Sequence, residues 1–363
     1  MLTTEAKGRA LDFNRVIGGR PFRGLIHLSL GDDDQVYAIC RDAYNTSGVY
    51  KFYIGPNIED ESEQEDVLSF GPDDPAPTSK GGFTDSWPAC SAYYNKEVFV
   101  TDELRNTIRV FDTEGNTLRE LGLSNQNSLD EITASSSIHG SSSSNPPSND
   151  LGKFNRPSGI VVDNEGNLLI SDTQNHRIQK ISRDGTYISS FGSLGTADGE
   201  FNAPWGICLD EEGNIFVADH LNNRVQKFDT SGKHIMTLGE KGTKPELLDH
   251  PSDVTVDPEG DIYVTSWASN KVNIYNSEGT YLLELFGSAQ ELSKWQRQYV
   301  NASPDVQKAR RRVSNLELEK FFALPTSVQF DKEKSRLLVV DSQRWRIQIF
   351  EKLSNYTEPQ FNI

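Results

Sequence analysis

Between Gly152 and Gly239 the sequence states one pattern twice. FNRPSGIVVDNEGNLLISDTQNHRIQKISRDGTYISSFG is followed by FNAPWGICLDEEGNIFVADHLNNRVQKFDTSGKHIMTLG, and Asp172 and Asp219 hold equivalent places at a period of 47 residues. A period of that length marks a stacked or radial repeat, in which each unit buries its apolar face only against its neighbours. Within one copy, GIVVD is a short β-branched run and DNEGN a turn whose Gly166 supplies positive φ. NLLISD is a second strand, TQNHR a tight connection, RIQKIS an alternating third strand and YISSFG a fourth. No helical period fits, and four strands per unit describe a propeller blade.

The copies resemble the NHL-repeat family of β-propellers. The resemblance rests on Pro157-Ser158-Gly159-Ile160, Asp163 to Asn167, Asp172 and Asn175-His176-Arg177-Ile178-Gln179. The second copy supplies Pro204-Trp205-Gly206-Ile207, Asp210 to Asn214, Asp219 and Asn222-Asn223-Arg224-Val225-Gln226. It implies an all-β, six-bladed propeller occupying 1–363 as a single domain, and says little about activity. In the related peptidylglycine-amidating lyases, His at the Pro-His-Gly position binds zinc. Here that column holds Ser158, Trp205, Ser252 and Thr326, with Ile26 in blade one and Pro88 or Ala89 in blade two, so a three-His zinc centre is excluded.

Extending the register, Phe13 to Gly18 matches a fourth strand with no preceding blade, and the last repeat stops after its third strand. The N-terminal strand is expected to complete the final blade and so remove an open sheet edge. Residues 123–151, with SSSIHGSSSSNPPSND, read as a flexible Ser-rich loop. Residues 288–322 read as a helical insertion, with a capping box at Ser288 to Glu291 and a second helix from Ser303-Pro304 to about Phe321. Both are fourth-to-first connections. With the long second-to-third connection at 41–48 they place three elaborations on one face of the ring, where loops carry binding groups.

Charge narrows the partners. Lys plus Arg number 36 against 53 Asp plus Glu, a net charge of −17, which argues against a nucleic-acid partner. Three cysteines in no metal-like spacing point to a reducing, cytoplasmic setting. No segment approaches membrane-spanning length, and no metal or other cofactor is implied. Asp172 with Arg177, Asp219 with Arg224 and Asp341 with Arg346 recur five residues apart, which marks them as structural pairs. On the elaborated face, Trp205, Trp267 and Trp345, with His220, Ser158 and Ser252, are the candidate ligand contacts, and Arg310 and Arg311 of the basic run 310–312 are candidate partner contacts. The expectation is a non-catalytic binding or assembly module for a protein or small ligand. A propeller-type lyase or hydrolase with its site at the channel mouth stays open as the alternative.

Overall fold

Each copy of the pattern folds as four antiparallel strands. The computed structural model describes residues 3–6, 9–19, 22–41, 47–54, 68–70, 86–123, 145–239, 244 and 246–353. In blade three the strands are Pro157–Val162, Leu168–Asp172, Arg177–Ile181 and Tyr187–Phe191; in blade four, Pro204–Leu209, Ile215–Asp219, Arg224–Phe228 and His234–Leu238. Six such sheets make the ring. The apolar residues sort into six clusters, one at each interface between adjacent blades. No blade has a core of its own, as the periodicity requires. A buried wedge enters each of several interfaces, at Phe22, Phe154, Phe201, Leu248 and Phe322. Gly192, at φ 98°, precedes one of them: a Cβ there would lie 2.5 Å from the Phe201 ring.

Closure is as expected. Arg9–Gly18 pairs antiparallel with Arg346–Lys352, completing the sheet of Pro325–Asp331 and Arg336–Asp341. Thr3–Ala6 adds a fifth strand outside it.

The repeated Asp–Arg pairs fasten fourth-to-first connections. Asp219 accepts from Arg224 Nε at 2.8 Å, Asn222 Nδ2 at 2.9 Å, Gln226 Nε2 at 3.2 Å and the Asn202 amide at 2.7 Å. Arg224 then donates to the carbonyls of Thr196, Ala197 and Glu200. Asp172 with Arg177, and Asp341 with Arg346, repeat the arrangement. Burial pushes all three carboxyls up, against these donors. Asp219→Ala should therefore cost about 3 kcal/mol, because it removes the only carboxylate paired, among the described residues, with the half-buried Arg224 guanidinium, together with the acceptor of the Asn202 amide. Equilibrium denaturation checks this, and a loss below about 1 kcal/mol would show the network to be dispensable.

The Ser-rich connection divides: 124–144 lie outside the described residues, whereas the carbonyls of Ser148, Asn149 and Asp150 accept from Asn175 and Arg177. The insertion differs from its expected form. Helix α1 is Lys294–Ala302 and its capping box is Ser293 with Gln296, not Ser288 to Glu291. The Ser288 amide, which the Glu291 side chain would accept from in that capping box, donates instead to Gln348 Oε1, and the Ala289 amide to the Lys320 carbonyl. Helix α2 begins at Pro304 after the Ser303 cap but ends at Arg310. Beyond it, Arg344 and Arg346 hold the carbonyls of Leu318, Glu319 and Phe321, which favours an irregular return with one 3-10 turn at Leu316–Glu319. Trp295 of α1 packs on Phe22 at 5.6 Å within the core between blades six and one.

Candidate functional site at the channel mouth

Three columns of the repeat surround the channel mouth: the residue before the first-strand Pro, the residue after it, and the residue after the second-strand Asp. Pairing of Pro88 with Asp102 settles the blade-two register, so Ala89 follows the Pro there. The blades are latched at this rim. Arg156, His250 and Leu324, all at positive φ, donate their amides to the side-chain oxygens of Asn106, Asn223 and Asn270 in the preceding blade, and Ala203 donates to His176 Nδ1. Trp345 holds the equivalent left-handed position in blade six, where an indole offers no such acceptor; Arg23 lies 5.7 Å over its ring instead.

In blades four and five aromatic rings hold four of these six positions, with Ala203 and Ser252 at the other two. Trp205 and His220 lie 4.1 Å apart, His220 and His250 5.2 Å, and Trp267 lies 6.4 Å from each imidazole. All four are partly exposed, with exposed Leu221 next to His220 in the chain. His220 Nδ1 sits 3.1 Å from the Pro251 carbonyl, which only accepts, so Nδ1 carries the proton. Burial, with a smaller contribution from neighbouring His250, lowers its pKa to about 4. The ring is therefore neutral at physiological pH, with an unprotonated Nε2.

Across blades one to three the same columns carry charge. Glu103 accepts from Arg41 at 3.3 Å and Arg156 at 2.8 Å, and Arg41 lies 5.2 Å over the exposed Trp87 ring. Two guanidinium groups on one carboxylate leave this side of the mouth cationic.

The other sequence-predicted residues fall elsewhere. Ser158 and Ser252 are buried and bond Thr173 and Thr265, as well as the carbonyls of Pro204 and Pro325 in the next blade, which makes them rim fasteners. Trp345 is separated from Trp205 and Trp267 by its place at the blade six to blade one junction. Arg310 pairs with Glu319 at 2.6 Å inside the insertion, while Arg311 is exposed.

A second set of residues lies on the channel axis. The repeat's Pro-x-Gly glycine is Gly159 and Gly206 in blades three and four, but the column reads His27, Cys90, Asp253 and Ser327 in the other blades. These four converge. His27 Nε2 is 3.0 Å from Cys90 Sγ and 3.9 Å from Asp253 Oδ2, and Ser327 Oγ donates to that oxygen at 2.8 Å. The Ser91 amide donates to His27 Nδ1, so the ring proton resides on Nε2. Gly206 leaves the space that Asp253 fills: a Cβ would stand 2.4 Å from its Oδ1. Burial lowers the His27 pKa to about 3, raises that of Asp253 to about 7 and pushes the Cys90 thiol up. The thiol is thus protonated and sealed, and the cluster forms a floor rather than a reactive centre. Among the described residues no group of three or more His, Cys, Asp or Glu is arranged to hold a metal ion, and no helix is long and apolar enough to cross a membrane.

The NHL repeat family profile matches the chain at residues 154–181 and 201–228. Over 47 residues the chain is 38% identical to the protein brain tumor of Drosophila melanogaster, a match covering 13% of this chain and only 4% of that protein. Among solved structures, a virginiamycin B lyase from Staphylococcus aureus aligns over 96% of this chain and 99% of its own, at TM-score 0.55 and 15% identity. A gluconolactonase from Xanthomonas campestris aligns over 95% and 90%, at TM-score 0.54 and 11% identity. Likeness at such identities establishes the architecture alone.

Proposed function

Because this chain is a six-bladed β-propeller carrying NHL repeats, we propose that it is a binding module whose channel mouth takes a small ligand or a protein segment. The observation that carries this is that Trp205, His220, His250 and Trp267, from three columns of two adjacent blades, meet as one aromatic cluster at the rim. Aromatic rings kept half-exposed at a channel rim suit an apolar or aromatic body. The cationic side at Arg41 and Arg156 suits an anionic group on the same ligand. The axis cluster below is buried, so the site is a cup on the face and not a through-channel.

A second reading is supported by one observation, the unprotonated Nε2 of neutral His220. A ring held in one tautomer at a cup rim is the form required of a general base. The lyase and gluconolactonase among the structural neighbours keep this lyase or hydrolase reading in view.

A thermal-shift screen against aromatic carboxylates and short peptides tests the primary reading. Hits should lose their shift in Trp205→Ala and weaken at least about tenfold, equivalent to about 1.4 kcal/mol. Hits untouched by Trp205→Ala and Trp267→Ala alike would place binding elsewhere. His220→Gln separates the two readings: binding retained with turnover abolished favours catalysis, and binding lost without any turnover in the wild type favours the module.

A further inference from the structure

The insertion at 288–322 inverts the charge of its surroundings, with seven Lys and Arg against four Asp and Glu in a chain of net charge −17. Within it the acidic groups of the return segment are already engaged: Glu319 by Arg310 at 2.6 Å and Glu317 by Lys320 at 2.7 Å. Arg311 and Arg312 follow directly, both exposed and, among the described residues, in no ion pair. Next in the chain come Val313, Leu316, Leu318 and Phe321, exposed at 48%, 38%, 58% and 44%. Four large apolar side chains facing water within nine residues are uncommon on a soluble surface and mark an interaction site.

This strip is held in place. Arg344 donates to the Leu318 carbonyl and Arg346 to those of Glu319 and Phe321, while the Ala289 and Phe322 amides bond the Lys320 and Phe286 carbonyls. Upstream, α1 is seated by Trp295 in the core between blades six and one. The backbone is therefore preorganised and its apolar side chains point outward, which lowers the ordering cost of association.

We propose that residues 311–321 form a docking surface for an acidic amphipathic segment of another protein. Its apolar residues would cover Val313, Leu316, Leu318 and Phe321, and its carboxylates would meet Arg311 and Arg312. The occupant is argued from charge: the uncompensated charges on the strip are cationic, and complementarity of this kind selects partners and accelerates encounter. The surface lies outside the aromatic cup, and its occupation does not depend on the reading of that site.

The probe is a labelled 18-residue peptide with Leu at helical i, i+3, i+4, i+7 spacing and Glu at most other positions, followed by fluorescence anisotropy in low salt. Wild-type protein should bind it, and both Arg311→Glu with Arg312→Glu and Leu318→Ser with Phe321→Ser should weaken binding at least about tenfold. Trp205→Ala should bind as wild type. Failure of the wild type to bind, equal binding of a Lys-for-Glu peptide, or binding that survives both double variants overturns the proposal. So does sedimentation showing a concentration-dependent dimer that Leu318→Ser with Phe321→Ser abolishes, since a second copy would then occupy the strip. Unchanged melting temperatures establish that the variants are folded.

Discussion

Relative to wild type, Asp253→Asn should gain stability as pH rises from about 4 to 7, and His27→Gln should lose stability as pH rises from about 3 to 6.5, each by up to about 1.4 kcal/mol per pH unit. The opposite signs follow from the two buried groups. His27 titrates near 3 when folded, below its ordinary 6.5, so unfolding takes up a proton in that interval. Its contribution is present above 6.5 and is lost as pH falls toward 3. Asp253 titrates near 7 when folded, above its ordinary 3.8, so unfolding releases a proton. Its contribution is present below 3.8 and is lost as pH rises through 7. In the wild type the uptake and the release coincide between about 4 and 6.5, and the pair is nearly silent although each member is strongly shifted. Removing either partner exposes the other's slope. The remaining neighbours, Cys90 and Cys208, are thiols whose pKa burial raises, and they stay protonated throughout. Asp253→Asn also deprives the Val328 amide of an acceptor, a loss that offsets the curve without tilting it. Chemical denaturation of the three proteins between pH 4 and 7 is the measurement. Two flat difference curves, or two slopes of the same sign, would refute the assignment.

The axis cluster was legible in the sequence, though by a signal different from the one that finds the fold. The fold follows from residues that recur, since Pro, Asp, Gly-Asn and Arg repeat with the blades and each has one local task. A site follows from residues that break the recurrence. Reading the Pro-x-Gly column for departures gives His27, Cys90, Asp253 and Ser327 at once. Attention to the middle position of that motif finds Trp205 and leaves the axis unread. The rim cluster was half legible for a related reason. Trp205, His220 and Trp267 stand out by type, but His250 precedes a repeat Pro like any rim residue. Only the radius of the ring brings blades four and five close enough for its imidazole to meet His220. Trp345 shows the limit of selecting by type alone, because the repeat places it in the left-handed column of Asn106, His176, Asn223 and Asn270, which latches adjacent blades. The helix boundaries were the least legible. The Ser288 amide that a capping box would use goes to Gln348, a partner remote in sequence, whereas Ser293 and Gln296 satisfy each other locally.

Ring closure supplies the second large effect, at Lys352→Ala. In blades three and four the first hairpin turn ends in Asn167 and Asn214, but in blade five it ends in Asp261, four residues after Asp257. Both carboxylates are almost fully buried. They are compensated by the two strands that close the ring: Lys352 reaches Asp257 and, at 2.9 Å, Asp261, while Arg9 of the N-terminal strand pairs with Asp261. Proximity to these acids keeps the half-buried Lys352 ammonium charged, its pKa raised despite desolvation. Truncating the lysine leaves Asp257 with only hydrogen-bond donors and Asp261 with Arg9, so the loss should be about 3–5 kcal/mol, the range for stranding a buried charge. The closing strand should fray first, because its outer end is the one that loses its anchor. Protection of the Arg9–Gly18 amides in hydrogen exchange should therefore fall before that of blade three. Replacing the whole set, Lys352→Met with Asp257→Asn and Asp261→Asn, should recover most of the lost stability. The asparagines keep an acceptor for the turn amides, the methionine keeps the apolar stem, and no charge remains buried. If the triple variant is as unstable as Lys352→Ala, charge burial is not what closure depends on at this turn, and the packing of Leu11, Phe13 and Phe350 against blade five must supply it.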